Sequence, residues 1–176
     1  MATILPTNKV PDLTVDLIDG KQWSLGGQSP NSMTMLVFYR GYHCPKCQEQ
    51  LEDLETKMDD FRALGVNVLA VSMDKKERAQ QTYDEWDIDG VPLGYGLSEK
   101  TARAWGLFMS QKMEKDASKT QEPLIFSEPG LFLVNSDSTL YSSSIQTMPF
   151  ARPQFSDVIA AIQFINKNKY PPRGGE

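Results

Sequence analysis

Cysteine is scarce in this 176-residue chain: there are two, with a single histidine. That count excludes a small scaffold stapled by several disulfides. It also leaves a zinc site two ligands short, so no metal centre is expected. Positive charge is short as well. Eighteen Lys and Arg against 23 Asp and Glu give a formal charge of −5. No dense basic face is then available to neutralise phosphates, which sets nucleic acid aside as a partner. No window approaches the roughly 18 uninterrupted apolar residues of a membrane span. No G-x-G-x-x-G follows a strand pattern, so no nicotinamide or flavin cofactor is expected. The opening Met1-Ala2-Thr3-Ile4-Leu5-Pro6 lacks a basic segment and a long apolar stretch, and no N-x-S/T sequon occurs. These absences lead to an expected cytoplasmic location, where a purely structural disulfide would be reduced. An apolar content of 40% and a charged content of 23% suit one globular domain over 1–176. Its core is expected at about 10–166, with a loose tail at 167–176.

What the chain does have is concentrated. Phe38-Tyr39-Arg40-Gly41-Tyr42-His43-Cys44-Pro45-Lys46-Cys47 holds both cysteines and the histidine. A C-x-x-C where an apolar run gives way to a helical pattern reads as a thioredoxin-like redox pair. Pro45 is tolerated in a first helical turn, because that amide has no intrahelical partner. Cys44 then lies at the helix mouth and Cys47 one turn in. Their Cα atoms would be roughly 5 to 6 Å apart, inside the range a disulfide accepts. The partial positive charge of the helix start favours a thiolate. Arg40, His43 and Lys46 would act in the same direction if they point inward. One cysteine is therefore expected to be substantially ionised at neutral pH.

The surrounding pattern is that of an α/β fold. Leu13–Ile18 and Lys21–Leu25 flank Asp19-Gly20, a strong hairpin signal. Met33–Tyr39 and Val66–Ser72 are apolar runs of buried-strand length. Between them, Leu51, Leu54, Met58, Phe61 and Leu64 mark one amphipathic helix ended by Gly65. A polar helix at Lys75–Asp87, a short strand at Val91–Tyr95 and a short helix at Glu99–Trp105 follow. Gln111–Gln121 reads as a surface loop. A second hairpin (Gly130–Asn135, Thr139–Ile145) and a helix carrying Phe155, Val158, Ile159, Ile162 and Ile165 close the chain. Alternating strands and helices imply parallel crossovers and a mixed central sheet flanked by helices.

Over about Val10 to Phe164 the chain resembles the peroxiredoxin-like branch of the thioredoxin superfamily, the alkyl hydroperoxide reductase/thiol-specific antioxidant family. The resemblance lies in the opening hairpin, the cysteine segment, Val68–Met73, Ala104-Trp105-Gly106-Leu107 and Gly130–Val134. It implies a thioredoxin-like fold and thiol-dependent redox chemistry. Laid on the family pattern, the usual proline becomes Arg40, the usual threonine becomes Cys44, and the peroxidatic cysteine falls on Cys47. The arginine usual before the late strand is replaced by Glu128-Pro129. Thioredoxin-like reductases instead combine a C-x-x-C with a cis-proline that Pro129 would match. The resemblance therefore implies an oxidoreductase cycling Cys44 and Cys47, with Arg40, His43, Pro45, Lys46 and Pro129 in support. The favoured reaction is thiol–disulfide exchange, with Cys44 attacking and Cys47 resolving. The alternative is hydroperoxide reduction, with Cys47 peroxidatic, Cys44 resolving, and Arg40 or Arg152 replacing the missing arginine. A non-enzymatic redox-sensing binding module is a third reading. Electrons would come from a thiol reductant such as thioredoxin, glutaredoxin or glutathione, and a homodimer is compatible with the resemblance.

Overall fold

A computed structural model describes residues 4–114 and 121–176. Its frame is a seven-stranded mixed sheet in the order β2-β1-β5-β4-β3-β8-β9. The strands are β1 (Thr14–Leu17), β2 (Gln22–Ser24), β3 (Met33–Phe38), β4 (Asn67–Val71), β5 (Leu93–Tyr95), β8 (Gly130–Asn135) and β9 (Leu140–Ile145). A separate two-stranded hairpin joins β6 (Met109–Gln111) to β7 (Ile125–Ser127). β3 runs parallel to β4 and antiparallel to β8, with Met35 opposite both Val68 and Leu133. β5 is parallel to β4, and the β1–β2 hairpin closes that edge in antiparallel pairing.

The two-residue period of a strand divides the core in two. Met33, Met35, Val37 and Tyr39 face one cluster with Val68, Ala70, Leu131 and Leu133. Leu36 and Phe38 face the other with Leu69, Val71, Phe132 and Val134. The first cluster is covered by α1 (Pro45–Glu55), α2 (Met58–Ala63) and α5 (Phe155–Asn168), through Leu51, Leu54, Phe61, Phe155, Val158 and Ile162. Trp86, just beyond α3 (Lys76–Glu85), joins it. The second cluster is covered by α4 (Glu99–Ala104) and the first strands, with Phe38, Trp105 and Phe132 packed as a mutual trio at 5.1 to 5.5 Å between rings. Paired along its length with β4 on one side and β8 on the other, β3 is held in place, and so is the segment that leaves its end.

Three expectations need correction. The stretch from Leu51 to Leu64 is two helices, not one. The Thr56 hydroxyl donates to the Asp53 carbonyl and Lys57 N–H to the Leu54 carbonyl, tightening the last turn and ending α1. Gln111 belongs to β6 and not to a loop, while residues 115–120 of that expected loop lie outside the described residues. The last helix runs to Asn168, and beyond it the Tyr170 carbonyl accepts a hydrogen bond from the Tyr141 hydroxyl at 2.8 Å.

Candidate active site

β3 ends at Phe38, and the chain must turn sharply to start α1. Gly41 makes that turn at φ +128°, with its missing side chain facing Asp74; a Cβ there would lie 2.6 Å from Asp74 Oδ2. Asp74, buried after β4, accepts the Tyr42 N–H at 2.7 Å. Burial raises the Asp74 carboxyl pKa, against the lowering effect of that N–H and of Arg78. The Cys44 amide then donates to the Gly41 carbonyl, and α1 opens with Cys44 as its N-cap and Pro45 at its first position.

Both cysteines are free thiols, and both are buried: Cys44 is 1% exposed and Cys47 0%. The residues that reach them come from two places in the sequence. Arg40 N–H donates to Cys47 Sγ at 3.3 Å, and Arg40 Nη1 stands 3.8 Å from Cys44 Sγ. Arg152, in the segment between β9 and α5, places Nη2 3.2 Å from Cys47 Sγ and 3.7 Å from Cys44 Sγ. Its own position is set by Nη1 donating to Gln50 Oε1 at 2.6 Å and Nε donating to the Pro149 carbonyl at 2.8 Å. Gln50 and Arg152 also wall a surface depression of about 420 Å³ bordered by Lys46, Phe150 and Pro153.

These contacts divide the two thiols. Hydrogen bonding from the Cys47 thiol lowers the Cys44 pKa to about 5, helped by Arg40 and by the charge of Arg152 and opposed by burial. Burial pushes Cys47 the other way, well above an ordinary thiol, and a neighbouring Cys44 charge adds to this. The two sulfurs share one negative charge at neutral pH, held mainly on Cys44 with the Cys47 proton directed at it. Its setting is the start of a helix, where a thiolate is favoured.

The remaining expected supporting residues separate. Pro45 occupies the first helical position as expected. His43 is buried edge-on against Phe126 at 4.7 Å between rings. Lys46 points away: its side chain is 51% exposed and pairs with Glu49 at 2.6 Å. The residue between two cysteines of a helical C-x-x-C falls on the outer face whenever both sulfurs turn inward. Pro129 follows a trans bond, since no cis peptide occurs among the described residues, so the reductase-like cis-proline is not found. Glu128 takes another part. It lies 3.2 Å from Arg40 Nε, while Glu122 lies 3.6 Å from Arg40 Nη2. Neither carboxylate carries a local motif; the β6–β7 hairpin that brings them in is visible only in the fold.

The sequence profile of the AhpC/TSA family matches residues 6–143. A Mycobacterium tuberculosis protein whose name assigns it to the peroxiredoxins is 27% identical over 110 residues, which cover 62% of this chain and 69% of that one. Among solved structures, AhpC of Enterococcus faecalis superposes with a TM-score of 0.73 at 19% identity, covering 96% of this chain and 98% of its own. The peroxidoxin BcpB of M. tuberculosis does so with a TM-score of 0.71 at 15% identity, covering 92% and 98%. The profile covers well over half of the chain, and the mixed central sheet flanked by helices fits a thioredoxin-like fold, so this protein belongs to the AhpC/TSA family and is a peroxiredoxin-like, thiol-dependent oxidoreductase.

Proposed function

We propose that the chain reduces small hydroperoxides, with Cys44 as the attacking thiolate and Cys47 as the resolving thiol. The observation that carries this reading is the burial of both sulfurs beneath two guanidinium groups. A protein disulfide cannot reach a sulfur that is 1% exposed without opening the helix start. A peroxide of a few atoms needs only a narrow path, and a surface depression lined by Gln50 and Arg152 lies next to the guanidinium that contacts both sulfurs.

The chemistry balances with the groups present. The Cys44 thiolate attacks one peroxide oxygen, the O–O bond breaks, and Cys44 becomes a sulfenic acid. The departing alkoxide or hydroxide carries developing negative charge, which Arg152 and Arg40 stabilise, and a proton converts it to the alcohol or water. The Cys47 thiol then condenses with the sulfenic acid, releasing water and forming the disulfide. Once the helix start opens to expose the disulfide, two electrons from an external thiol, of the thioredoxin, glutaredoxin or glutathione class, restore the dithiol.

A second assignment has its own support. Cys47 takes the place of the family's peroxidatic cysteine, and it receives the two shorter contacts, Arg40 N–H at 3.3 Å and Arg152 Nη2 at 3.2 Å. Single variants separate the two. With Cys44 attacking, Cys47→Ser forms a sulfenic acid on Cys44 that dimedone traps, detected as a mass increment, while Cys44→Ser gives no adduct at neutral pH. The reverse pattern assigns the attack to Cys47. If neither variant nor the wild type consumes hydroperoxide faster than free cysteine, the peroxidase reading is wrong.

A further inference from the structure

The Arg40 guanidinium is more tightly held than its contact with sulfur requires. Each of its nitrogens has a different neighbour: Nη1 faces Cys44 Sγ at 3.8 Å, Nε faces Glu128 Oε2 at 3.2 Å, and Nη2 faces Glu122 Oε1 at 3.6 Å. Its plane lies over Phe126, with Cζ 4.8 Å from the ring centroid. Both carboxylates are buried, Glu128 at 3% exposure and Glu122 at 7%. Each spends its other oxygen on the neighbouring strand region: Glu128 Oε1 accepts the Ser110 hydroxyl at 2.6 Å, and Glu122 Oε2 accepts the Met113 N–H at 3.1 Å. Among the described residues, the two carboxylates and the ring that hold Arg40 come from the β6–β7 hairpin and its flanks, a unit outside the central sheet.

We infer that Glu128 and Glu122 are positioning residues of the redox site, acting on the Cys44 sulfur only through the Arg40 guanidinium they clamp. This rests on the reading of Cys44 as a reactive thiolate. Electrostatics alone predicts the opposite role. Two carboxylates beside a thiolate disfavour its charge, so their removal should make Cys44 more acidic. A clamp predicts the reverse, because an unheld arginine samples other rotamers and leaves the sulfur. Buried carboxylates paired with a single cation are costly to keep, and their anchoring to Ser110 of β6 and to Met113 just past it is what a fixed guanidinium needs.

The test is a double-mutant cycle on Arg40 and Glu128. Two readouts are followed: thiolate absorbance at 240 nm against pH, and the second-order rate with hydrogen peroxide at pH 6. Glu128→Ala is expected to raise the apparent thiol pKa by about one unit, from about 5, lowering the thiolate at pH 6 from about nine-tenths to about one-half and slowing the reaction about twofold. In an Arg40→Ala background the same change is expected to have no further effect. Glu128→Gln keeps a side chain of the same length with an oxygen beside Nε while removing the competing charge, so it is expected to retain the rate and to shift the thiol pKa downward or not at all. Equal effects of Glu128→Ala in both backgrounds, or a downward pKa shift in Glu128→Ala itself, would overturn the inference, as would a Glu128→Gln protein that behaves like Glu128→Ala. The absorbance titration needs no turnover. Failure of the clamp is thus distinguished from failure of the peroxidase reading, which would show as no peroxide reaction in the wild type.

Discussion

Arg152 is the side chain whose removal tests the electrostatic account most directly. Its Nη2 donates to both sulfurs, at 3.7 Å from Cys44 and 3.2 Å from Cys47. Arg152→Met keeps most of the stem and removes the charge. A unit charge at 3.7 Å contributes about 1 kcal/mol at the dielectric of water and about 4 kcal/mol at the effective value typical near protein surfaces. At 1.36 kcal/mol per unit, that is a rise of about 1 to 3 pKa units for the first ionisation of the pair. Starting from about 5, the variant should titrate between about 6 and 8. At pH 6 the thiolate population then falls from about nine-tenths to between one-half and one-hundredth, a loss of about 2-fold to 100-fold in any thiolate-dependent rate. Above pH 9 that part of the defect disappears, and what is left measures the guanidinium's work on the departing oxygen. Absorbance at 240 nm and stopped-flow peroxide consumption, both across pH 4 to 10, give the two quantities separately. An apparent pKa in Arg152→Met within about 0.3 units of the wild type would refute the assignment of Arg152 as a source of thiol acidity.

Three further outcomes are expected. The Cys44 pKa is lower in the folded than in the unfolded chain, so its contribution to stability is full above the unfolded thiol pKa and is lost as pH falls toward about 5; relative to Cys44→Ser, urea denaturation of the reduced wild type should gain about 1 to 3 kcal/mol between pH 6 and 8. Cys47 has the opposite sign, because burial raises its pKa, and the reduced protein should lose stability again above about pH 9, a loss absent from Cys47→Ser. Gly41→Ala forces a side chain into φ +128° and against Asp74 Oδ2; a cost of about 2 to 4 kcal/mol is expected in the denaturation midpoint, with the thiol titration disturbed because the same turn seats Cys44.

Much of the frame was legible because its signals are local. The apolar runs of β3 and β4, the Asp19-Gly20 turn and the helical spacing of Phe155, Val158 and Ile162 each lie within a few residues, and all three appear as read. The cysteine segment was legible for the same reason: Pro45 at the first helical position and Cys44 at the N-cap follow from ten contiguous residues. The break between α1 and α2 was not. The apolar spacing continues through it, and the interruption comes from a hydroxyl of Thr56 that turns back on the helix. β6 and β7 are three residues each, with Ser110 and Gln111 in one of them, too short and too polar for a periodic signal. Of the site's charges, Arg40 stood in the cysteine segment itself, Arg152 was reached only through the family resemblance, and the carboxylates lay beyond local patterns. Arg152 is 105 residues from Cys47, and Arg40 is paired with Glu128 across a turn of chain that no spacing rule connects. Lys46, adjacent in sequence to both cysteines, is the charge that turned away.

The placement of Arg152 has one more consequence. The family profile ends at residue 143, and the guanidinium that touches both sulfurs lies nine residues past that end. The loop from Gln146 to Gln154 is tied to α1 by the Arg152–Gln50 contact. Acidity of the dithiol can therefore drift or be engineered by grafting that short connector between relatives, leaving the cysteine segment and the sheet beneath it unaltered.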